Sequence, residues 1–95
     1  MKIEVEFLGL PLASDIVGAK KVNLNFFGET VTDAMDELIR RYGEKMRNIF
    51  YSAEGRFDPM IQIALNGKSF ISADQLDTAL KEGDHLAFVL LLAGG

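Results

Sequence analysis

The sequence contains no cysteine and a single histidine, His85. Without cysteine the chain can form neither disulfides nor thiolate-ligated metal centres, and it has no thiol nucleophile. One histidine without partners cannot build a metal site or a catalytic triad. The glycines at positions 9, 18 and 28 do not form a GxxxxGK[ST] phosphate-binding loop. We therefore assign no catalytic side chain and expect no bound metal or cofactor.

Long apolar runs are also missing. The longest extends from Leu86 to Ala93, far short of the roughly 20 residues that a membrane-spanning helix requires. The first six residues alternate charged with apolar side chains and have no signal-peptide core. We expect a soluble cytoplasmic protein without membrane contacts.

The charge balance is acidic, with a formal net charge of −4 and a pI near 4.8. An acidic domain repels phosphate backbones, so nucleic acid is not an expected partner. A protein partner with a basic groove suits it better, because opposite fields accelerate encounter.

The apolar pattern predicts five strands. Most of them alternate apolar with polar residues, as half-buried strands do, and the last is apolar on both faces, as a central strand is. The Asn66-Gly67 pair between two of them is a strong hairpin signal. The predicted strands are Lys2 to Leu8, Lys21 to Phe27, Met60 to Leu65, Lys68 to Ile71 and His85 to Leu92.

One long amphipathic helix is predicted from Val31 to Tyr42, where apolar residues recur at helical spacing. Thr30 and Asp33 form an acidic capping box at its start, and Gly43 is suited to end it. Glu44 to Phe50 is predicted to add a further helical turn. Gly9 to Lys20 contains two glycines and a proline and is predicted to be a loop.

This order of elements predicts an α+β fold in which a mixed sheet of about five strands packs on one main helix. It matches the β-grasp (ubiquitin-like) fold, in which the first and last strands lie side by side in the centre. We expect residues 1–95 to form a single domain with a flexible C-terminal Gly-Gly tail.

The tail is the feature that indicates chemistry. Gly94 and Gly95 directly follow the last predicted strand. A tail without Cβ atoms can thread a narrow channel and adopt backbone angles closed to other residues. The tail would present the carboxylate of Gly95 to a partner. Joining this carboxylate to AMP would give an acyl adenylate, in which AMP is a good leaving group.

The stretch from Leu76 to Phe88, LDTALKEGDHLAF, resembles the closing segment of the small subunit of molybdopterin synthase (MoaD). In that family an xTPLxDGDxVAF run leads into the last strand and a terminal Gly-Gly. Asn66-Gly67 and the Thr30-Val31 helix start also fit. The chain departs from the family where prolines commonly follow the phenylalanine; Val89 to Leu92 stand there, closer to the LxLVLRLRGG ending of ubiquitin.

The resemblance implies a MoaD/ThiS-type sulfur carrier. An adenylating enzyme of the ubiquitin-activating type would use ATP to adenylate the Gly95 carboxylate, and a sulfur donor system would convert it to a thiocarboxylate. The thiocarboxylate would deliver sulfur to a pterin precursor inside the large subunit of molybdopterin synthase. The chain would then be a carrier or subunit and not an enzyme.

Four alternatives remain open from the sequence. Three use the same tail: a thiazole-synthesis carrier, a tRNA-thiolation carrier and a ubiquitin-like protein modifier. The fourth is a β-grasp interaction domain with an inert terminus.

An apolar interface is predicted around the last strand, because its side chains on the face away from the helix would be exposed. The alternative is that loops cover this face. The predicted partner-binding residues are Leu8, Phe27, Ala87, Val89, Leu91, Leu92 and Ala93.

Overall fold

Five strands form one mixed sheet in the part of the chain that the computed structural model describes, residues 1–90. They are β1 (Lys2–Leu8), β2 (Lys21–Asn25), β3 (Ile61–Leu65), β4 (Ser69–Ile71) and β5 (His85–Leu90). Their order is β2-β1-β5-β3-β4, and β1 and β5 are parallel while the other neighbours are antiparallel. The predicted β-grasp fold, with the first and last strands side by side, is confirmed.

Three helices accompany the sheet: α1 (Pro11–Val17), α2 (Val31–Tyr42) and α3 (Glu44–Phe50). A short 3₁₀ turn at Ala73–Gln75 precedes β5. Within residues 1–90, none of the helices is long and apolar enough to cross a membrane.

The first helix, α1, corrects the prediction of a loop from Gly9 to Lys20. Pro11 occupies the start of the helix, where its fixed φ is favourable and its missing N–H has no intrahelical partner to lose. Gly18 ends it in a left-handed conformation, and its N–H donates to the Ser14 carbonyl at 2.7 Å. The proline and glycine are therefore the ends of a short helix, and Ala13 is its buried contact.

The main helix begins and ends as predicted. The Thr30 hydroxyl accepts from the Asp33 amide at 3.2 Å, and the Asp33 carboxylate accepts from the amides of Glu29 and Thr30 at 2.9 and 3.1 Å. The hydrogen bonds from Glu29 and then Thr30 lower the pKa of Asp33 below its ordinary value, because they stabilise the ionised form. At the other end Gly43 donates to the Ile39 carbonyl.

The last two turns of α2 carry an ion-pair group on the helix surface. Glu37 accepts hydrogen bonds from Arg40 and Arg41, which lie three and four residues further along the helix. These bonds lower the pKa of Glu37 to about 2. Arg41 also donates to the Asn25 carbonyl at 3.0 Å, which ties α2 to the end of β2.

The core lies between the helices and one face of the sheet. Phe88 on β5 is fully buried, with ring centroids 5.9 Å from Phe7 on β1 and 4.8 Å from Phe50 on α3. Phe88 on β5 is thus packed against both a neighbouring strand and a helix.

The predicted hairpin is also confirmed. Asn66 and Gly67 both have positive φ, 55° and 66°, as a type I′ turn requires. The Lys68 amide donates to the Leu65 carbonyl at 3.1 Å. Strand pairing resumes at Ser69, one residue later than predicted.

Candidate functional site

The predicted reactive group and part of the predicted interface lie outside the described residues: Leu91, Leu92, Ala93, Gly94 and Gly95. The structure describes the strand that leads to them. β5 ends at Leu90 and is hydrogen-bonded on one side to β1 and on the other to β3. A strand held on both sides fixes the point from which residues 91–95 continue.

The loop after β1 passes close to the end of β5. A Cβ at Gly9 would lie 3.5 Å from the Leu90 carbonyl oxygen, and Gly9 has a positive φ of 67°. The positive φ favours glycine at this position, whereas the distance to Leu90 is an ordinary van der Waals contact.

The face of the sheet away from the helices carries an apolar stripe. Leu8 pairs with Val89, and Ala87 pairs with Ala64, which in turn lies opposite Phe70. Leu8 is 40% exposed and Phe70 is 69% exposed. We call the set Leu8, Val89, Ala87, Ala64 and Phe70 the outer-face stripe. It has members on β1, β5, β3 and β4; Leu8 and Val89 are in register near the end of β5, and Ala87, Ala64 and Phe70 are in register nearer its start.

Two predicted partner-binding residues require correction. Ala87 faces the predicted side but is only 4% exposed, because its small side chain is flanked by Glu6 on β1 and Ala64 on β3. It forms the floor of the stripe and offers little area for contact.

The second correction concerns Phe27. Its side chain is fully exposed, as predicted. However, β2 runs antiparallel to β1 and Asn25 pairs with Lys2, so Phe27 lies beyond the N-terminal end of β1. That end is six residues, about 20 Å, from Leu8, and Phe27 does not belong to the outer-face stripe.

Sequence reasoning missed two residues of the stripe, Ala64 and Phe70, of which Phe70 is the large exposed one. The signal for it was the alternation in the short strand Ser69–Ile71: Ile71 is buried in the core, so its neighbour must face outward. A large exposed aromatic residue in that position points to a contact surface.

A groove of about 820 Å³ lies on the helix side of the same end of the sheet. Apolar side chains from α1 and the residue before it, from α3 and from the sheet line it: Leu10, Leu12, Ile16, Ile49, Ile61 and Leu90. Leu90, the last described residue, is part of this lining.

A polar cluster adjoins the outer-face stripe. His85 Nε2 lies 2.8 Å from Glu6 Oε1 and 3.7 Å from Glu4 Oε1. Both glutamates lie outside the buried core, and His85 is partly covered and hydrogen-bonded to Glu6. No group of three His, Cys, Asp or Glu residues with metal-binding geometry occurs in the part of the chain that the structure describes.

Solved structures show the same fold. Small archaeal modifier protein 1 from Haloferax volcanii is similar with a TM-score of 0.79 and 23% identity, over 100% of both chains. A putative molybdopterin converting factor subunit 1 from Pyrococcus furiosus is similar with a TM-score of 0.71 and 22% identity, over 97% of this chain and 99% of that one. A complex of subunits 1 and 2 of the molybdopterin-converting factor from Helicobacter pylori contains a chain with a TM-score of 0.61 and 22% identity, with 100% of both chains covered.

Sequence comparison places the chain in a family. No curated protein sequence gives a significant match. The profile of the ThiS family, however, matches residues 14–95, which is well over half of the chain and includes the final Gly-Gly pair. This match, together with the confirmed fold, shows that the chain belongs to the ThiS family.

Proposed function

We propose that the chain is a sulfur carrier whose reactive group is the carboxylate of Gly95. The observation that carries the proposal is the ThiS-family match that extends through Gly94 and Gly95, directly after a central strand. A rigidly held strand followed by residues without side chains is suited to deliver a carboxylate into a partner's active site. Leu91, Leu92 and Ala93 would line the entrance of that site.

The chemistry proceeds in two displacements. A Gly95 carboxylate oxygen attacks the α-phosphorus of ATP in an adenylating enzyme of the ubiquitin-activating type, and pyrophosphate leaves. Sulfide from the donor system then attacks the carbonyl carbon, AMP leaves, and the proton of the sulfide passes to solvent. The product is a thiocarboxylate, so the chain acts as a carrier or subunit and the partner enzymes supply ATP binding and catalysis.

We propose molybdopterin synthesis as the pathway. The stretch from Leu76 to Phe88 resembles the molybdopterin synthase small subunit, and the structures from Pyrococcus furiosus and Helicobacter pylori support this choice. The acceptor would then be a pterin precursor inside the large subunit of molybdopterin synthase, in the cytoplasm.

A second candidate is a ubiquitin-like modifier that is joined to lysines of other proteins through Gly95. The similarity to small archaeal modifier protein 1 supports it. Both functions share the adenylated carboxylate and differ in the nucleophile that displaces AMP, which is sulfur for the carrier and an amine for the modifier.

Docking is proposed to use the outer-face stripe. Leu8 and Val89 lie on one face at the end of β5 from which the tail continues, and Phe70 lies on the same face in register with Ala87. A partner that covers them would bury apolar area at about 25 cal/mol per Å² and would hold the tail at its own active site.

Intact mass after reaction tests the function. The chain is incubated with the adenylating enzyme from the same genome, ATP and sulfide, and a mass gain equal to sulfur replacing oxygen at the C-terminus is expected. Incubation with a cell extract and ATP separates the two candidates, since a modifier gives larger conjugates through isopeptide bonds. An unchanged mass in both reactions would contradict both candidates.

A further inference from the structure

The groove on the helix side of the sheet has an open apolar wall. Leu12 on α1 forms part of it, and its side chain is 69% exposed. Ile49 on α3 and Ile61 and Leu90 at the end of the sheet also line the groove. Apolar surface of this kind commonly marks a contact site. The residues that the structure describes leave Leu12 uncovered, so the groove can accept a further apolar side chain.

Both neighbours of β5 leave the sheet at the level of Leu90. β1 ends at Leu8, and the chain turns at Gly9, which has a φ of 67°, toward α1. On the other side β3 begins only at Ile61, which pairs with Leu90, and the two residues before Ile61 form a turn. The described ladder of β5 therefore ends at Leu90, and this residue already lines the groove.

Strand alternation selects the tail residue that meets the groove. Phe88 is buried in the core, and Leu90, two residues further along β5, lines the groove on the same side of the sheet. Side chains two residues apart on a strand share a face and are separated by about 7 Å. One further step in this series gives Leu92, whereas Leu91 follows Val89 toward the outer face.

The charges that line the groove indicate which part of the tail it accepts. They are the carboxylates of Asp15 and Asp58 and the ammonium group of Lys45, so negative charge is in excess. The Gly95 carboxylate would be repelled there and would lose its water, which is unfavourable. An apolar side chain of the tail is therefore a better occupant than the terminal carboxylate.

The connection to Leu90 favours the chain's own tail over a separate molecule. A group attached by a short flexible segment has an effective concentration in the millimolar range, and it pays no cost of bringing two molecules together. A second copy of the chain would also carry a net charge of −4, so two copies repel each other at long range.

We propose that Leu92 of the chain's own tail packs into the helix-side groove against Leu12 and Ile49 in the free protein, and that Gly94 and Gly95 extend beyond it. The inference goes beyond the proposed function, because it concerns the free chain and holds whichever enzyme uses the carboxylate. A partner that draws the tail into a channel would have to release Leu92 from the groove.

Nuclear Overhauser effects between methyl groups of the full-length chain test the proposal. We expect contacts from the Leu92 methyls to those of Leu12 or Ile49. Two variants at adjacent positions form a matched pair. Leu92→Ser should shift the Ile49 methyl signals and lower the melting temperature by about 4–8 °C, because it removes a buried leucine. Leu91→Ser should leave both at the wild-type values.

A mixed sample of isotope-labelled and unlabelled chains distinguishes the chain's own tail from that of a second copy. Contacts from Leu92 to the groove that appear between copies would overturn the proposal. Absence of Leu92 contacts to the groove, or equal effects of Leu91→Ser and Leu92→Ser, would also overturn it.

These measurements use no enzyme, so their failure is distinguishable from failure of the proposed function. If the Leu92 contacts are absent while thiocarboxylate still forms, only this inference is wrong. If deletion of Gly95 leaves thiocarboxylate formation intact while the Leu92 contacts are present, the proposed function fails instead.

Discussion

Leu8 and Val89 lie opposite each other on the two central parallel strands, and both side chains face away from the helices. Each follows a phenylalanine that is buried in the core, Phe7 on β1 and Phe88 on β5. In each pair, the phenylalanine packs in the core and stabilises the fold. The residue after it, Leu8 or Val89, faces outward near the end of β5, where it is available to a partner.

Substitution of aspartate at Leu8 or Val89 is expected to weaken binding of the adenylating enzyme. The added charge would lose its water at the interface, and a central contact is typically worth 2 kcal/mol or more, about thirtyfold in Kd. Leu8→Asp should keep the melting temperature, because the Leu8 side chain is already substantially exposed. The Kd can be measured by calorimetry.

Phe27→Asp is the matched control for this test. Phe27 is more exposed than Leu8 but lies at the opposite end of the sheet, so its substitution should leave the Kd unchanged. Weaker binding for Phe27→Asp with normal binding for Leu8→Asp would place the partner at the other end of the molecule.

The capping box predicts a pH-dependent contribution of Asp33 to stability. Its pKa in the folded chain lies below the ordinary value of 3.8, chiefly through the hydrogen bond from the Glu29 amide. A carboxyl with a lowered folded pKa stabilises the fold above its unfolded pKa, and this contribution is lost as the pH falls through the folded value. Asp33→Asn should therefore lower the melting temperature at neutral pH, and the difference from the wild type should shrink below about pH 4.

Asp77→Asn serves as the control, since Asp77 is exposed and lies outside this capping box. Melting curves from neutral pH to pH 2 check the prediction. A constant difference between Asp33→Asn and the wild type over this range would show that ionisation of Asp33 does not stabilise the helix start.

Gly28→Ala is expected to destabilise the fold by about 1–3 kcal/mol. Gly28 has a φ of +153°, and an added Cβ would lie 2.5 Å from the Asp33 Cβ, so the side chain of the capping box would be displaced. Gly55→Ala is the control, because Gly55 also has a positive φ but a Cβ there would meet open space. Denaturant unfolding should show the greater loss for Gly28→Ala; equal losses would contradict the clash.

The sequence predicted the elements whose signals are local. The helix from Val31 to Tyr42 combines a cap, an apolar stripe and a terminal glycine within fourteen residues, Thr30 to Gly43, and all three are present in the structure. The Asn66-Gly67 turn is likewise determined by its own backbone preferences. The α1 helix was missed because seven residues are too few to establish a helical period, while the flanking proline and glycine are typical of loops as well.

The candidate site was only partly predictable because exposure depends on neighbours across strands. Alternation identified Leu8 and Val89 as outward residues, but the burial of Ala87 depends on Glu6 and Ala64, which come from distant parts of the sequence. The position of Phe27 depends on strand direction and register. Neither property is contained in the spacing of apolar residues.

The position of the terminal carboxylate gives the central prediction of the proposed function. Deleting Gly95 retracts the terminal carboxylate by about 3.3–3.6 Å along an extended chain, and a misplacement of about 1 Å in an active site can reduce the rate roughly 100-fold. Adding a residue converts the Gly95 carboxylate to an amide. Gly94→Ala should reduce activity partly, through the added Cβ in the channel. All three variants leave residues 1–90 unchanged, so their melting temperatures should equal that of the wild type.

The most direct measurement is ATP–pyrophosphate exchange by the adenylating enzyme with the intact chain and with the Gly95 deletion, followed by intact mass after addition of sulfide. For the intact chain we expect ATP–pyrophosphate exchange and a mass gain equal to sulfur replacing oxygen. For the deletion we expect neither. Equal exchange and an equal mass gain for the two chains would show that the Gly95 carboxylate is not the reactive group.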